Sequence, residues 1–260
     1  MVRKEMPGAT SRMAFVDHGE TYGRHILKNI LKNINVSHCV DLGCGNGDDL
    51  QIVKSFSQNS ICSGIDYGLW NYKILSERHI DVISLDIESA QLPFSNESVD
   101  FVIANQIFEH TKNIFWINHE IFRTLTVGGY LYLGVPNVLS FHNRILGLFG
   151  LHPTCAQTIS AHMRVFSKYD TIKFYKNIAG DILSIDQFYG SQFYPFPRII
   201  ARPLSVIFPS LAYSIFFLIR KTKVYNGEFI EWLNKCTLET NFYRGLDIEP
   251  HNESSTHPQN

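Results

Sequence analysis

Short apolar runs alternate along the chain with stretches whose apolar residues fall at helical spacing. Residues 39–42, 60–65, 82–85, 99–104 and 130–135 read as strands, ending at Gly43, Asp66, Asp86, Asn105 and Pro136. Between them, residues 48–56 put Leu50, Val53 and Phe56 on a helical face, and residues 69–78 read as a second helix. In a third, Ile114, Ile117, Ile121, Phe122 and Leu125 share one core-facing stripe, with Gly128-Gly129 as the expected stop. This alternation predicts an α/β domain built on a doubly wound, mostly parallel sheet. Such sheets bind ligands at the carboxyl ends of their strands, near the reversal of strand order. The places to inspect are therefore residues 43–47, Asp66, Asp86 and Asn105.

Downstream the pattern loosens. Residues 139–165, with Gly147, Gly150 and Pro153, have no clear period and read as an insertion over the mouth of the site. Ser167 and Asp170 have capping-box spacing and open a helix through about Asn177; residues 182–188 read as a sixth strand. From Glu249 the chain is polar and expected to fray. The apolar run 203–219 falls short of the ~20 residues of a membrane span and is broken by Pro209-Ser210. It reads as a short helix to Phe208 followed by a buried strand over 214–219. An interfacial helix over 197–208 that touches a membrane is the alternative.

Composition removes several classes of function. With 45% hydrophobic residues the chain can bury a sizeable core, and 23 basic against 24 acidic residues give no cationic excess for a nucleic-acid partner. Cys39, Cys44, Cys62, Cys155 and Cys236 are odd in number, scattered and without a Cys-x-x-Cys pair, so reduced thiols and no metal site are expected. The first eight residues are partly basic but precede no apolar run, which argues against a secretory leader and for the cytoplasm, with peripheral membrane contact left open.

The chemistry concentrates in Val40-Asp41-Leu42-Gly43-Cys44-Gly45-Asn46-Gly47. Alternate glycines directly after a strand allow a tight turn and let backbone N–H groups approach a ligand. The third glycine comes one place too early for the dinucleotide fingerprint, and Asp48 stands in its place. An acid in this turn disfavours a pyrophosphate and suits a ligand bearing positive charge.

At this point the chain resembles the class I S-adenosylmethionine-dependent methyltransferases over roughly residues 37–188. The motifs that carry the resemblance, besides the glycine turn, are Asp66 at the end of the second strand, Leu85-Asp86-Ile87-Glu88, Leu92-Pro93-Phe94 and Gly128-Gly129 before the fifth strand. The resemblance implies a Rossmann-like seven-stranded sheet with an antiparallel last strand, a role that residues 214–219 would fill. It implies S-adenosyl-L-methionine as cofactor, held by Asp41, Gly43, Cys44, Gly45, Asn46, Gly47, Asp66, Tyr67, Asp86, Ile87, Asn105 and Gln106. In that scheme Asp66 takes the ribose hydroxyls, while Asp86 and Ile87 take the adenine. One departure is Asp181 after Gly180, where relatives carry phenylalanine; it leaves the register of the sixth strand open.

The implied activity is methylation, with oxygen as the acceptor atom, of a small-molecule, saccharide or lipid-linked acceptor. Among eleven histidines, His110 stands just past the fourth strand and is the candidate base or acceptor ligand, ahead of His142 and His162. Asn137, His142, Asn143 and Arg144 would suit a polar acceptor; Phe141, Phe149 and the aromatic pairs at 188–189 and 193–194 an aromatic or isoprenoid one. Two other readings stand beside this one: a cofactor-binding but non-catalytic partner protein of the same fold, and a nicotinamide dehydrogenase. The expected organisation is a helical segment over 1–36, a catalytic domain over 37–222 and a helix with tail over 223–260.

Overall fold

Seven strands make one sheet: β1 (His38–Leu42), β2 (Ile61–Asp66), β3 (Asp81–Ser84), β4 (Val99–Asn105), β5 (Leu125–Pro136), β6 (Leu183–Ser191) and β7 (Ser214–Lys221). They lie in the order β3-β2-β1-β4-β5-β7-β6. Strands β1 to β5 pair in parallel, whereas β7 runs antiparallel to both β5 and β6. The protein is described here from a computed structural model covering residues 18–236, Leu238 and residues 240–245; the polar stretch from Glu249 lies outside the described residues.

Helices cover both faces. The flanking elements are α1 (His18–Thr21), α2 (Arg24–Leu31), α3 (Asp48–Phe56), α4 (Tyr72–Glu77), α5 (Ile114–Thr124), α6 (Phe141–Leu148), α7 (Lys168–Ala179), α8 (Arg198–Ile207) and α9 (Glu228–Lys235). Because side chains alternate across a strand, Val102 and Ala104 of β4 join Ile117, Ile121, Phe122, Tyr175 and Phe229 from α5, α7 and α9 on one face. Phe101 and Ile103 point the other way, to Ile26, Leu27, Ile30, Leu50 and Val53 of α2 and α3. Strand order reverses between β1 and β4, which places the topological switch point where the two chains leave the sheet.

The end of α5 corrects the sequence reading. Gly128 and Gly129 do not stop this helix; they lie inside β5, with Gly128 at φ 92°. The helix ends at Thr124, and Leu125 is already extended at ψ 135°. A buried lysine from another strand caps it: Lys221 Nζ donates to the carbonyls of Phe122 (2.9 Å) and Leu125 (2.7 Å) and meets Glu97 at 3.1 Å. A cation at the negative end of the helix dipole is the favourable sign. The glycines absorb a register shift, with Val99 facing Leu125 but Phe101 facing Tyr130.

Elsewhere boundaries move by a few residues. Residues 69–71 form a turn ahead of α4, and the sixth strand runs on to Ser191. Ser167 caps α7 by accepting from the Asp170 amide, as its spacing predicts. Asp181 stays exposed while Ile182 and Leu183 turn inward, and a bulge between Ile185 and Gln187 absorbs the register of β6. The apolar run resolves into α8 and β7, with Ile215, Phe216 and Phe217 fully buried. Among the described residues, no helix is long and apolar enough to cross a membrane.

Candidate functional site

At the switch point a polar cavity of about 350 Å³ opens between the ends of β1 and β4. Asp41, Gly43, Cys44, Gly45, Asn46, Asn105 and Gln106, all named from sequence, line it. The glycine turn sets its floor. Gly43 sits at φ 72°, and a Cβ there would meet Ile107 Cδ1 at 2.7 Å, so glycine is needed for both backbone and space. Gly45, at φ 52°, would project a Cβ into open space. Its amide donates to Asp66 Oδ2 at 3.1 Å, which ties the turn to the end of β2. Cys44 contributes mainly as a wedge, its Sγ where a Cβ on Gly64 would otherwise stand.

Three carboxylates and one guanidinium set the electrostatics of the lining: Asp41, Asp48, Asp49 and Arg24. Arg24 reaches Asp48 and Asp49, both at 3.0 Å, and lies over the Tyr22 ring. Asn105 Nδ2 donates to Asp49 Oδ2 at 2.7 Å and to the Tyr22 carbonyl at 2.9 Å. Burial, then the neighbouring Asp49, push the Asp41 carboxyl well above the usual range, and Arg24 only partly opposes this. Burial also raises Asp49, against the pull of Asn105 and Arg24. The cavity thus holds buried acids with too little positive charge around them. Gln106 adopts a left-handed turn at φ 58°, and its buried Nε2 finds no hydrogen-bond partner among the described residues.

Other sequence candidates fall outside this lining. Gly47 caps α3 at φ 75°, closed in by Ile80 and Leu75. Asp66 touches the turn without lining the cavity, and Tyr67 is 72% exposed beyond it. Asp86 is exposed and accepts from the Glu88 amide and the Ser89 hydroxyl, while Ile87 packs against the core. Tyr22, Arg24, Asp49 and Asn71 are lining residues that the sequence reading missed. Tyr22 and Arg24 arrive from the N-terminal helices, 17 to 19 positions before Asp41. The one available signal is Arg24 at the head of an amphipathic stretch that buries Ile26, Leu27, Ile30 and Leu31.

Residues 40–133 match the family model of a methyltransferase domain. That segment, from β1 to β5 and a little over a third of the chain, is similar to this family. A probable S-adenosylmethionine-dependent methyltransferase of Mycolicibacterium smegmatis is 28% identical over 102 residues, which is 39% of each chain. The chain therefore matches about two fifths of that curated relative's length. In fold, the chain is similar to an S-adenosylmethionine-dependent methyltransferase of Mesorhizobium loti (TM-score 0.54, 15% identity, 76% of this chain and 96% of that one). It is also similar to the Burkholderia thailandensis 1,6-didemethyltoxoflavin-N1-methyltransferase, solved with S-adenosylhomocysteine (TM-score 0.53, 13% identity, 80% of each chain).

Just past β4 the chain carries a second group. Glu109 is buried, its Oε2 has no hydrogen-bond partner among the described residues, and burial raises its carboxyl to about 7. His110 is half-exposed, with Nε2 3.9 Å from Glu109 Oε1 and Nδ1 donating to the Ala161 carbonyl at 3.2 Å. His162, expected in the insertion, stacks edge-on against His110 with ring centroids 4.9 Å apart. His142 is instead locked inside the insertion, its ring nitrogens bonded to Ser140 and Thr154, and burial lowers it to about 4. An apolar cavity of about 450 Å³ begins at Phe108 and Met163, the neighbours of Glu109 and His162, and runs between α5, α7 and α9 past Phe115, Phe174 and Trp232.

Proposed function

We propose that the chain transfers a methyl group from S-adenosyl-L-methionine to a hydroxyl of a small, largely apolar acceptor. The observation that carries the reading is the charge arrangement at the switch point: buried acids at Asp41 and Asp49 facing one guanidinium, over a glycine turn with room for a ligand. An amino acid with a neighbouring cationic sulfur matches that pattern, with its ammonium toward Asp41 and Asp49 and its carboxylate toward Arg24. Gly45 leaves the space, and the free Gln106 Nε2 supplies a donor at the rim. Asp66, Tyr67, Asp86 and Ile87 lie along the carboxyl ends of β2 and β3, where a nucleoside would extend. When bound, the cofactor supplies an electrophilic methyl on a positively charged sulfur.

The residues of the chain then hold and orient. Much of the rate of an in-line displacement comes from fixing the reacting atoms in line. The N-terminal helices roof the donor cavity through Tyr22 and Arg24, while the apolar cavity beside Phe108 gives an acceptor a dry wall. His110 and Glu109 stand where an acceptor hydroxyl would meet the chain. The lining of that cavity offers few hydrogen-bond partners for the hydroxyls of a saccharide, which favours an apolar acceptor. Helix α8 exposes Ile199, Val206 and Ile207, and this supports peripheral contact with a membrane that stores such an acceptor.

Titration calorimetry of the full chain with S-adenosylmethionine, S-adenosylhomocysteine and NAD tests the reading. Saturable heat with the first two and none with NAD is the expected result, abolished in Asp41→Asn. Heat with NAD alone, or none at all, overturns it. Donor binding without turnover on any of a panel of hydroxylated apolar acceptors assigns the chain to the non-catalytic class instead.

A further inference from the structure

We propose that Glu109, His110 and His162 form a binding site for one divalent transition-metal ion, of the zinc or cobalt type, at the edge of the acceptor space. One carboxylate oxygen and one nitrogen from each ring lie within 4.8 Å of one another. The ring tautomers are already set for ligation. A carbonyl can only accept, so His110 Nδ1 must donate to Ala161 O, and His162 Nδ1 must donate to Cys155 O at 3.0 Å. In the neutral rings this leaves both Nε2 atoms as lone-pair donors. A ligating histidine whose other N–H is held by a carbonyl is the usual outer-shell arrangement at metal centres.

The third ligand is the unusual one. Glu109 is 2% exposed, its Oε2 has no hydrogen-bond partner among the described residues, and its Oε1 stands 3.9 Å from His110 Nε2. A buried carboxylate without a partner is costly, and a cation relieves that cost. The backbone around it is fixed rather than loose. The Met163 and Arg164 amides both donate to Glu109 O, at 2.7 and 3.2 Å, and the Arg164 side chain donates to the Thr111 and Lys112 carbonyls. These bonds hold the returning arm of the insertion, with His162 on it, against the turn that carries Glu109 and His110.

The donor set selects the metal. Two imidazoles and one carboxylate suit zinc, cobalt or iron, whereas magnesium and calcium prefer an all-oxygen set. Ligands on a tetrahedral zinc stand about 3.4 Å apart, so the three groups close by roughly 1 Å, and half-exposed His110 has the freedom to do so. Three protein ligands leave a coordination position open. Under the methyl-transfer reading it takes the acceptor hydroxyl, orients it and acidifies it, so that its proton leaves to solvent water as the oxygen takes the methyl group; His110 then acts as a ligand and not as a free base. That use alone rests on the proposed activity; the binding of the ion does not.

The test is titration of the tag-free, chelator-treated full chain with Co²⁺, read by visible absorption, alongside His162→Ala, His110→Ala and Glu109→Gln. The expected result is a 1:1 band displaced by Zn²⁺ but not by Mg²⁺, with affinity at least tenfold weaker in every variant. No saturable band, or a band of unchanged strength in His162→Ala, overturns the site. Calorimetry with S-adenosylhomocysteine on the same samples reads the donor cavity separately. Unchanged heat in the three variants means that loss of the metal site and failure of the methyltransferase reading are told apart.

Discussion

The side-chain amide of Asn105 donates to Asp49 Oδ2 at 2.7 Å, joining the last residue of β4 to the first turn of α3 across the switch point. Its second amide hydrogen goes to the Tyr22 carbonyl at 2.9 Å, so one residue ties three separate parts of the chain. Replacing it tests whether the cavity works as a unit. Asn105→Ala strips a donor from a buried carboxylate and is expected to cost about 1–3 kcal/mol in denaturant unfolding. Affinity for S-adenosylhomocysteine should fall about tenfold or more by calorimetry. Unaltered affinity would show that Asp49 does not face the donor.

Arg24 offers a cleaner discrimination. Arg24→Met keeps much of the aliphatic stem and removes the guanidinium that lies over the Tyr22 ring and serves Asp48 and Asp49. If the guanidinium receives a carboxylate, affinity for S-adenosylhomocysteine drops by about 10–100-fold, the range for a lost charge-assisted contact. Affinity for 5′-methylthioadenosine, which lacks the amino-acid part, should barely change. Equal losses for both ligands would place Arg24 in the architecture alone.

The glycine turn should separate folding from binding. Gly43→Ala combines a left-handed backbone with a Cβ 2.7 Å from Ile107 Cδ1, whereas Gly45→Ala carries the backbone strain without any contact. Gly45→Ala is expected to cost about 1 kcal/mol in stability and to weaken donor binding more than that loss explains. Gly43→Ala should unfold at markedly lower denaturant, by about 2–4 kcal/mol. The reverse ranking in chemical denaturation would contradict the packing described.

Acid should loosen the insertion first. His142 is buried and bonded through both ring nitrogens, and burial lowers it from 6.5 to about 4. The folded form therefore binds fewer protons than the open form between those values. Its stabilisation is complete above pH 6.5 and is lost as pH falls through 4, by up to about 3 kcal/mol. Amide exchange across residues 141–155 should speed up over that window relative to the sheet. His142→Gln should flatten the dependence; the same acid profile in that variant would assign the effect elsewhere.

Much of the fold was legible because the signals were local. The alternating apolar runs gave the five parallel strands, and the Ser167–Asp170 spacing gave the cap on α7, since each depends on neighbours a few residues apart. The end of α5 was misread for the opposite reason. The group that caps it is Lys221, nearly a hundred positions away, and no local pattern announces a lysine with 1% of its side chain exposed. The cavity at the switch point divides along the same line. Its floor follows from one glycine motif, but its roof is Tyr22 and Arg24, placed by the packing of α2 on the sheet. His162 reaches Glu109 only because backbone bonds fold the insertion back, so that pairing could not be read from spacing.

Glu20, the third residue of α1, is clasped by two arginines of α8. Arg198 and Arg202 of α8 grip its carboxylate at 3.0 and 2.7 Å, and Tyr22 and Arg24 follow within four positions. The far rim of the sheet is thereby geared to the lip above the switch point. A load on the outer side of α8, or early melting of that helix, would slacken the lip while the strands beneath stayed intact.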